Sequence, residues 1–219
     1  MQRLFIETKY EGKLTLPGSV VKQLPSKLVL ALPVQFYDFI PNIQQQLETA
    51  GKKVILFKGI HDKYPGQVLG CDVFKFAGNY DAFLYIGDGK FHPTALLYEN
   101  KKSVFCFNPF TSKLEILTPE YLQKILQRHT GQLSKFLSAN TVGILITTKP
   151  GQNQSKRAEE LRSKLEPSGK EVFVFIAEEI NFNQLENFNF IDVWINTACP
   201  RIVEDFKCLN LDDLKEIGL

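Results

Sequence analysis

The sequence predicts an α/β protein: two repeated small parallel-sheet units with an N-terminal hairpin arm. Short apolar runs alternate with amphipathic helical stretches, the pattern of strands joined by crossover helices into a parallel sheet. The same series of strand, helix and strands occurs twice along the chain. The two series also share local sequence. Thr49-Ala-Gly-Lys-Lys-Val-Ile-Leu-Phe57 is similar to Pro167-Ser-Gly-Lys-Glu-Val-Phe-Val-Phe175, and Asn79-Tyr-Asp-Ala-Phe-Leu-Tyr-Ile86 to Phe190-Ile-Asp-Val-Trp-Ile195.

Residues 1–27 fit neither copy. Leu4 to Leu16 reads as a hairpin turning near Glu11-Gly12, an arm for packing or dimer formation. The first unit spans 28–117. Its strands are Leu28–Leu32, Lys53–Phe57 and Ala82–Ile86, with Ser103–Phe107 a further one that encloses Cys106. Phe36 to Ala50 is helical, and Pro41 is tolerable only near its first turn. A linking helix covers 118–140. Thr118-Pro119 supplies its N-cap and first residue, and Tyr121, Leu122, Ile125, Leu126, Leu133 and Phe136 face inward. The second unit spans 141–219. Val142–Ile146, Glu171–Ile176 and Ile191–Asn196 are its strands. The helix Ser155–Leu165 sets Ala158, Leu161 and Leu165 on one face, and Gly169 closes the following turn.

A chain of 219 residues suits one large domain or two small ones, and 44% hydrophobic and 12% aromatic content can fill a core. The formal net charge of +2 is too small to argue for nucleic acid. The N-terminal residues lack a signal-peptide pattern, and no apolar run reaches membrane-spanning length. Cys71, Cys106, Cys199 and Cys208 are widely spaced and form no CxxC pair. They do not read as a disulfide scaffold, so the expected compartment is the reducing cytoplasm.

Ligands of open α/β sheets bind beyond the carboxyl ends of the strands. Four loops there carry unusual sequence. Gly87-Asp-Gly-Lys-Phe-His-Pro93 holds Asp88 and His92. Thr147-Thr-Lys-Pro-Gly-Gln152 holds Lys149 and Gln152. Asn196-Thr-Ala-Cys-Pro-Arg201 holds Cys199 and Arg201, and Tyr64-Pro-Gly-Gln-Val-Leu-Gly-Cys71 ends on Cys71. Each has a plain alternative. The glycines can serve only a tight turn. His92 can fill a helix start. Residues 147–152 can bind an anion at the next helix N-terminus or simply lead into it, since they lack the Walker pattern. An isolated cysteine is commonly a small buried hydrophobe, as expected of Cys106. A cysteine at a strand end beside a cation can instead be a thiolate, the ligand that iron–sulfur clusters, zinc and copper(I) select.

These loops carry a family resemblance. Pro65 to Cys71, Asp81 to Pro93 and Asn108-Pro-Phe110 resemble the middle domain of the archaeal-type diphthamide synthases. Gly143 to Gln152 and Asn196 to Ile202 resemble the last domain. The resemblance runs from about Leu28 onward. It implies a [4Fe-4S] cluster held by one cysteine from each of three domains, with the fourth iron open to S-adenosylmethionine. It further implies radical transfer of a 3-amino-3-carboxypropyl group to a histidine of elongation factor 2. By motif, Cys71 and Cys199 are the metal ligands. Asp88, His92, Lys149, Gln152 and Arg201 are candidates for the cofactor or substrate pocket. The expected partners are elongation factor 2 or a synthase subunit, in a homo- or heterodimer, with neither membrane nor direct nucleic acid.

The family's first domain, with its cysteine, has no counterpart in this reading, and residues 1–27 contain no cysteine. Cys106, Cys208 or a partner subunit are the sources left for a third ligand. Two alternatives to a cluster-bearing synthase stay open. One is a non-catalytic partner of a full-length synthase or of elongation factor 2. The other is a cluster-free descendant that binds S-adenosylmethionine or a nucleotide.

Overall fold

A computed structural model of the chain describes residues 6–59, 62–70, 73 and 75–219. The chain divides into two compact units, Met1–Leu122 and Gln123–Leu219.

In the first unit, helix α1 (Gly18–Gln23) leads into β1 (Lys27–Ala31). A 3-10 turn, Val34–Phe39, runs directly into α2 (Ile40–Thr49). Pro41 sits in the first turn of α2, where its missing N–H costs nothing. There follow β2 (Lys53–Leu56), β3 (Ala82–Ile86), α3 (Phe91–Asn100), β4 (Val104–Asn108) and β5 (Lys113–Leu117). The sheet order is β2-β1-β3-β4-β5, parallel except for the antiparallel β4–β5 pair. Leu28, Leu30, Leu84, Ile86 and Phe107 form one core with Val20 and Val21 of α1 and Ile43 and Leu47 of α2. Val29, Phe83, Tyr85 and Val104 point to the opposite face and are also buried. A sheet covered on both faces explains why these strands read as continuous apolar runs.

The expected hairpin is not formed among the described residues. Leu4 and Phe5 lie outside them, and residues 6–17 contain no strand. The inward alternation of Leu14 and Leu16 is real, for both are 2% exposed. Their segment, however, joins the core of the first unit instead of pairing with itself. The Leu16 N–H donates to Gln46 Oε1 at 3.0 Å, and Gln46 Nε2 donates back to the Leu16 carbonyl at 2.5 Å. A glutamine of α2 thus satisfies backbone groups that a second strand would otherwise take.

The second unit repeats the arrangement. It comprises α4 (Gln123–Ser138), β6 (Thr141–Thr147), α5 (Ser155–Leu165), β7 (Glu171–Ala177), α6 (Phe182–Leu185), β8 (Val193–Asn196) and the two-residue β9 (Leu209–Asn210). The order β7-β6-β8-β9 is parallel throughout and matches β2-β1-β3-β4. Phe136 of α4 and Ala158, Leu161 and Leu165 of α5 pack on Val142, Ile144, Val193 and Ile195. Trp194, Phe175, Leu185 and Cys208 fill the other face. Gly143 is the register partner of Trp194. A Cβ at Gly143 would fall 2.5 Å from the indole, so only glycine admits the ring in this position.

The stretch expected to form one linking helix holds two elements: a 3-10 turn, Pro119–Leu122, and α4. Leu122 and Phe136 are buried and Leu133 packs against the core, as expected. Tyr121 and Leu126 are exposed instead. The Tyr121 ring receives the Lys90 ammonium, 5.7 Å from its centroid.

The repeat extends to its anchors. In the first unit, Asp81 Oδ2 accepts the Lys27 N–H at 2.9 Å. In the second, Asp192 Oδ2 accepts the N–H groups of Asn140 and Thr141, each at 2.9 Å. Both carboxylates precede the third strand of their unit and tie down the amino end of the first.

Candidate functional site

In each unit the chain leaves the first strand toward one neighbour and returns on its other side. Strand order therefore reverses between β1 and β3 and again between β6 and β8. Such switch points open a crevice at the carboxyl ends of the strands, where open α/β sheets bind ligands. Each candidate residue that the structure describes lies on a loop or helix start leaving such an end.

In the first unit, Asp88 and His92 follow β3. The Asp88 carboxylate accepts from the Gly89 N–H at 2.8 Å and from Asn108 Nδ2 at 2.7 Å. Gly89 takes a φ of +68°, which suits glycine. The Tyr85 hydroxyl donates to the Asp88 carbonyl at 3.2 Å, and burial raises its pKa, which keeps it a donor. Gly87 leaves room for that hydroxyl, since a Cβ there would stand 2.4 Å from it. His92 is half-buried in the first turn of α3, its ring parallel to Tyr85 at 6.2 Å between centroids. The loop after β2 returns along β1: the Leu32 N–H donates to the Gly66 carbonyl and the Val68 N–H to the Leu32 carbonyl. At its far end Gly70 lies against Phe91, whose ring a Cβ would meet at 1.9 Å. Cys71 follows Gly70 and lies outside the described residues.

In the second unit, Thr147–Gln152 leaves β6 and Asn196–Arg201 leaves the adjacent β8. The Lys149 N–H donates to Thr147 Oγ1 at 3.2 Å, and the Gln152 N–H closes a turn on the Lys149 carbonyl at 3.1 Å. The Lys149 ammonium stands 3.5 Å from Glu179 on the surface. An exposed pair of this kind contributes at most about 1 kcal/mol.

Cys199 is half-buried and stands at the N-cap of the 3-10 turn Pro200–Glu204. Its loop is fixed from beneath by two asparagines that are register partners on β8 and β9. Asn196 is 1% exposed. Its Nδ2 donates to the Cys199 carbonyl at 2.9 Å and to Asn210 Oδ1 at 2.8 Å, and its Oδ1 accepts the Ala198 N–H at 2.9 Å. Asn210 Nδ2 donates to the Pro200 carbonyl at 3.0 Å. Arg201 is 4% exposed and forms a two-pronged ion pair with Glu204: Nε to Oε1, and Nη2 to Oε2 at 2.9 Å. Its charge is thus engaged by a carboxylate of its own turn.

Among the described cysteines, Cys199 alone stands on a loop at the carboxyl end of a strand. Cys106 lies inside β4, and burial first and Glu115 second push its thiol up to about 12. Cys208 is 3% exposed in the core of the second unit, and burial pushes it likewise to about 12. Both stay protonated at neutral pH, whereas metal binding takes the thiolate. Among the described residues, no three Cys, His, Asp or Glu side chains converge to hold a metal ion.

The residues identified from sequence omitted Asn196 as a site residue and Asn210 altogether. A signal for Asn210 was present: Asn210-Leu-Asp-Asp213 is a capping box, and the structure forms both of its bonds.

Fold and loops define a tandem doubly wound α/β protein whose second switch point carries a cysteine on a braced loop. Residues 2–207 match the family described as "Putative diphthamide synthesis protein", and the chain belongs to that family. It is 29% identical over 188 residues to a 2-(3-amino-3-carboxypropyl)histidine synthase of Pyrococcus horikoshii, covering 84% of this chain and 53% of the relative. Subunit 1 of the corresponding synthase from Caenorhabditis elegans is 32% identical over 188 residues, covering 82% and 46%. The crystal structure of Dph2 from Pyrococcus horikoshii with a 4Fe-4S cluster superposes with a TM-score of 0.75 at 25% identity. That match covers 91% of this chain and 59% of the other. The chain spans about half the length of the curated relatives it matches. No helix of the described residues is long and apolar enough to cross a membrane.

Proposed function

We propose that this chain acts within a 2-(3-amino-3-carboxypropyl)histidine synthase. It would carry two ligands of a [4Fe-4S] cluster, Cys71 and Cys199, and serve transfer of the 3-amino-3-carboxypropyl group from S-adenosylmethionine to a histidine of elongation factor 2. The observation that supports this most is the placement of the cysteines: Cys199 stands at a switch point on a braced, half-buried loop, while Cys106 lies inside β4 and Cys208 in the core of the second unit.

Bound cluster chemistry supplies electrons and an open iron site for the cofactor; three protein ligands leave such a position where four would close it. The residues of this chain do the holding. Cys199 offers its thiolate from the carboxyl end of β8. Lys149, on the loop after the neighbouring β6, offers an ammonium to the carboxylate of the amino-acid moiety, releasing Glu179 to water. Gln152 offers an amide in the same loop. In the first unit, Asp88 and His92 supply the polar groups of the corresponding crevice. Cys106 inside β4 and the buried Cys208 are poorly placed for a third ligand, and a partner subunit is one source of that thiolate.

The test is anaerobic reconstitution with iron and sulfide, read by absorption and EPR, on the wild type and on Cys71→Ala, Cys199→Ala and Cys106→Ala. A cluster that either Cys71→Ala or Cys199→Ala abolishes and Cys106→Ala leaves intact is the expected result. A folded protein that takes up no cluster would sink the radical-enzyme reading and favour a binding partner.

A further inference from the structure

We infer that Asn196 and Asn210 are positioning residues for Cys199, setting where its sulfur stands relative to the end of the sheet. This rests on the proposal that Cys199 is a metal ligand. The geometry that carries it is a short ladder of two amides. Asn196 ends β8 and Asn210 ends β9, side by side in a parallel register. Between them they hold three successive residues of the loop: the Ala198 N–H, the Cys199 carbonyl and the Pro200 carbonyl. The direct bond between the two amides locks them together at 2.8 Å.

Asparagine suits this position because its side chain both donates two hydrogen bonds and accepts others. Asn196 uses both N–H donors and its oxygen. Aspartate has the same shape but no donor. At 1% exposure an aspartate at 196 would set its carboxylate against the Cys199 carbonyl and Asn210 Oδ1 with no water to intervene. Asn210 has a second task. Its side chain accepts at the start of the turn Leu211–Ile217, while its own N–H donates to Asp213 Oδ2 at 2.6 Å. Aspartate is as good a helix cap as asparagine. Asn210→Asp therefore keeps the cap and the acceptor for Asn196, and replaces the bond to the Pro200 carbonyl with a carboxylate oxygen set against it.

That difference separates positioning from mere stability. The first readout is made on the apoprotein: site-resolved alkylation, followed by peptide mass spectrometry, with Cys106 and Cys208 as internal controls. In Asn196→Asp and Asn210→Asp, the Cys199 rate should differ at least threefold from the wild type's, with Cys106 and Cys208 unchanged. The second readout is the reconstituted protein, where both variants should change the g-anisotropy of the reduced-cluster EPR signal or lower cluster yield severalfold. Should Asn196→Asp fail to fold, Asn210→Asp decides alone. A Cys199 rate and an EPR line shape unchanged in a folded variant overturn the inference. If the wild type takes up no cluster, the alkylation arm still decides the positioning claim, and only the metal reading fails.

Discussion

Arg201 is the candidate whose role the structure makes most testable. A guanidinium 4% exposed meets the Glu204 carboxylate through two parallel contacts. Arg201→Met keeps much of the volume and removes the charge. Breaking a buried pair by deleting one partner costs about 3–5 kcal/mol, because the remaining charge is left desolvated. The Glu204 side chain is 20% exposed and can reach water, which places the expected cost nearer about 2–3 kcal/mol. Trp194 is the only tryptophan of the chain and is buried in the second unit, so its fluorescence reports that unit's unfolding. With a urea slope of about 1.5 kcal/mol/M for a unit of this size, the midpoint should fall by roughly 1.3–2 M. The double variant Arg201→Met with Glu204→Gln should recover at least half of that loss. A single variant within about 0.5 kcal/mol of the wild type, or a double variant no better than the single, would refute the reasoning.

Gly143→Ala should destabilise the second unit by about 1–3 kcal/mol and shift the Trp194 emission, since the new methyl lands on the indole; unchanged emission and midpoint would show that the ring yields. In the native wild type at neutral pH, iodoacetamide should label Cys199 at least tenfold faster than Cys106 or Cys208, because burial holds those two thiols protonated. Equal labelling of the three in folded protein would remove the contrast on which the metal reading rests. Asp88→Ala should loosen the turn after β3 by losing the bonds to Gly89 and Asn108, read as faster amide exchange at Gly89 with little change in the midpoint.

The strands were legible because both sheets are buried on two faces, which writes each strand as an apolar run. The helix Ser155–Leu165 was legible to the residue, since its apolar period matches its buried face. Two short strands were not. β5 lies at an edge with an exposed Ile116, and β9 is two residues long, below the length at which a pattern exists. The hairpin failed for a different reason. Leu14 and Leu16 alternate as a strand would, and sequence shows the alternation but not that Gln46 accepts and donates the backbone bonds. At the site, sequence located the loops and the structure sorted their charges. Arg201 and Lys149 look alike as cations beside a proline, yet one is buried on Glu204 and the other stands exposed by Glu179. The Glu204 partner was visible three residues on; its burial was not.

The repeat separates scaffold from chemistry along each strand, and this can be tested. Asp192 anchors the amino end of β6, while the candidate loops leave the carboxyl end beyond Thr147. Six residue steps at about 3.3 Å put roughly 20 Å between them. Hydrogen bonds from the Thr141 and Asn140 N–H groups and the Thr141 hydroxyl hold the Asp192 carboxyl below its ordinary value of 3.8. A depressed carboxylate stabilises the fold above the unfolded pKa, and that contribution is lost as pH falls through the lower folded value. Asp192→Asn should therefore lose about 1–2 kcal/mol at neutral pH. Its Trp194-monitored midpoint should also fall less steeply than the wild type's below about pH 4. Because the loss arises at the far end of the sheet, Cys199 should label at the wild-type rate in the folded variant. A changed Cys199 rate would mean that the sheet transmits strain along its length, and the repeated anchors would then belong to the site.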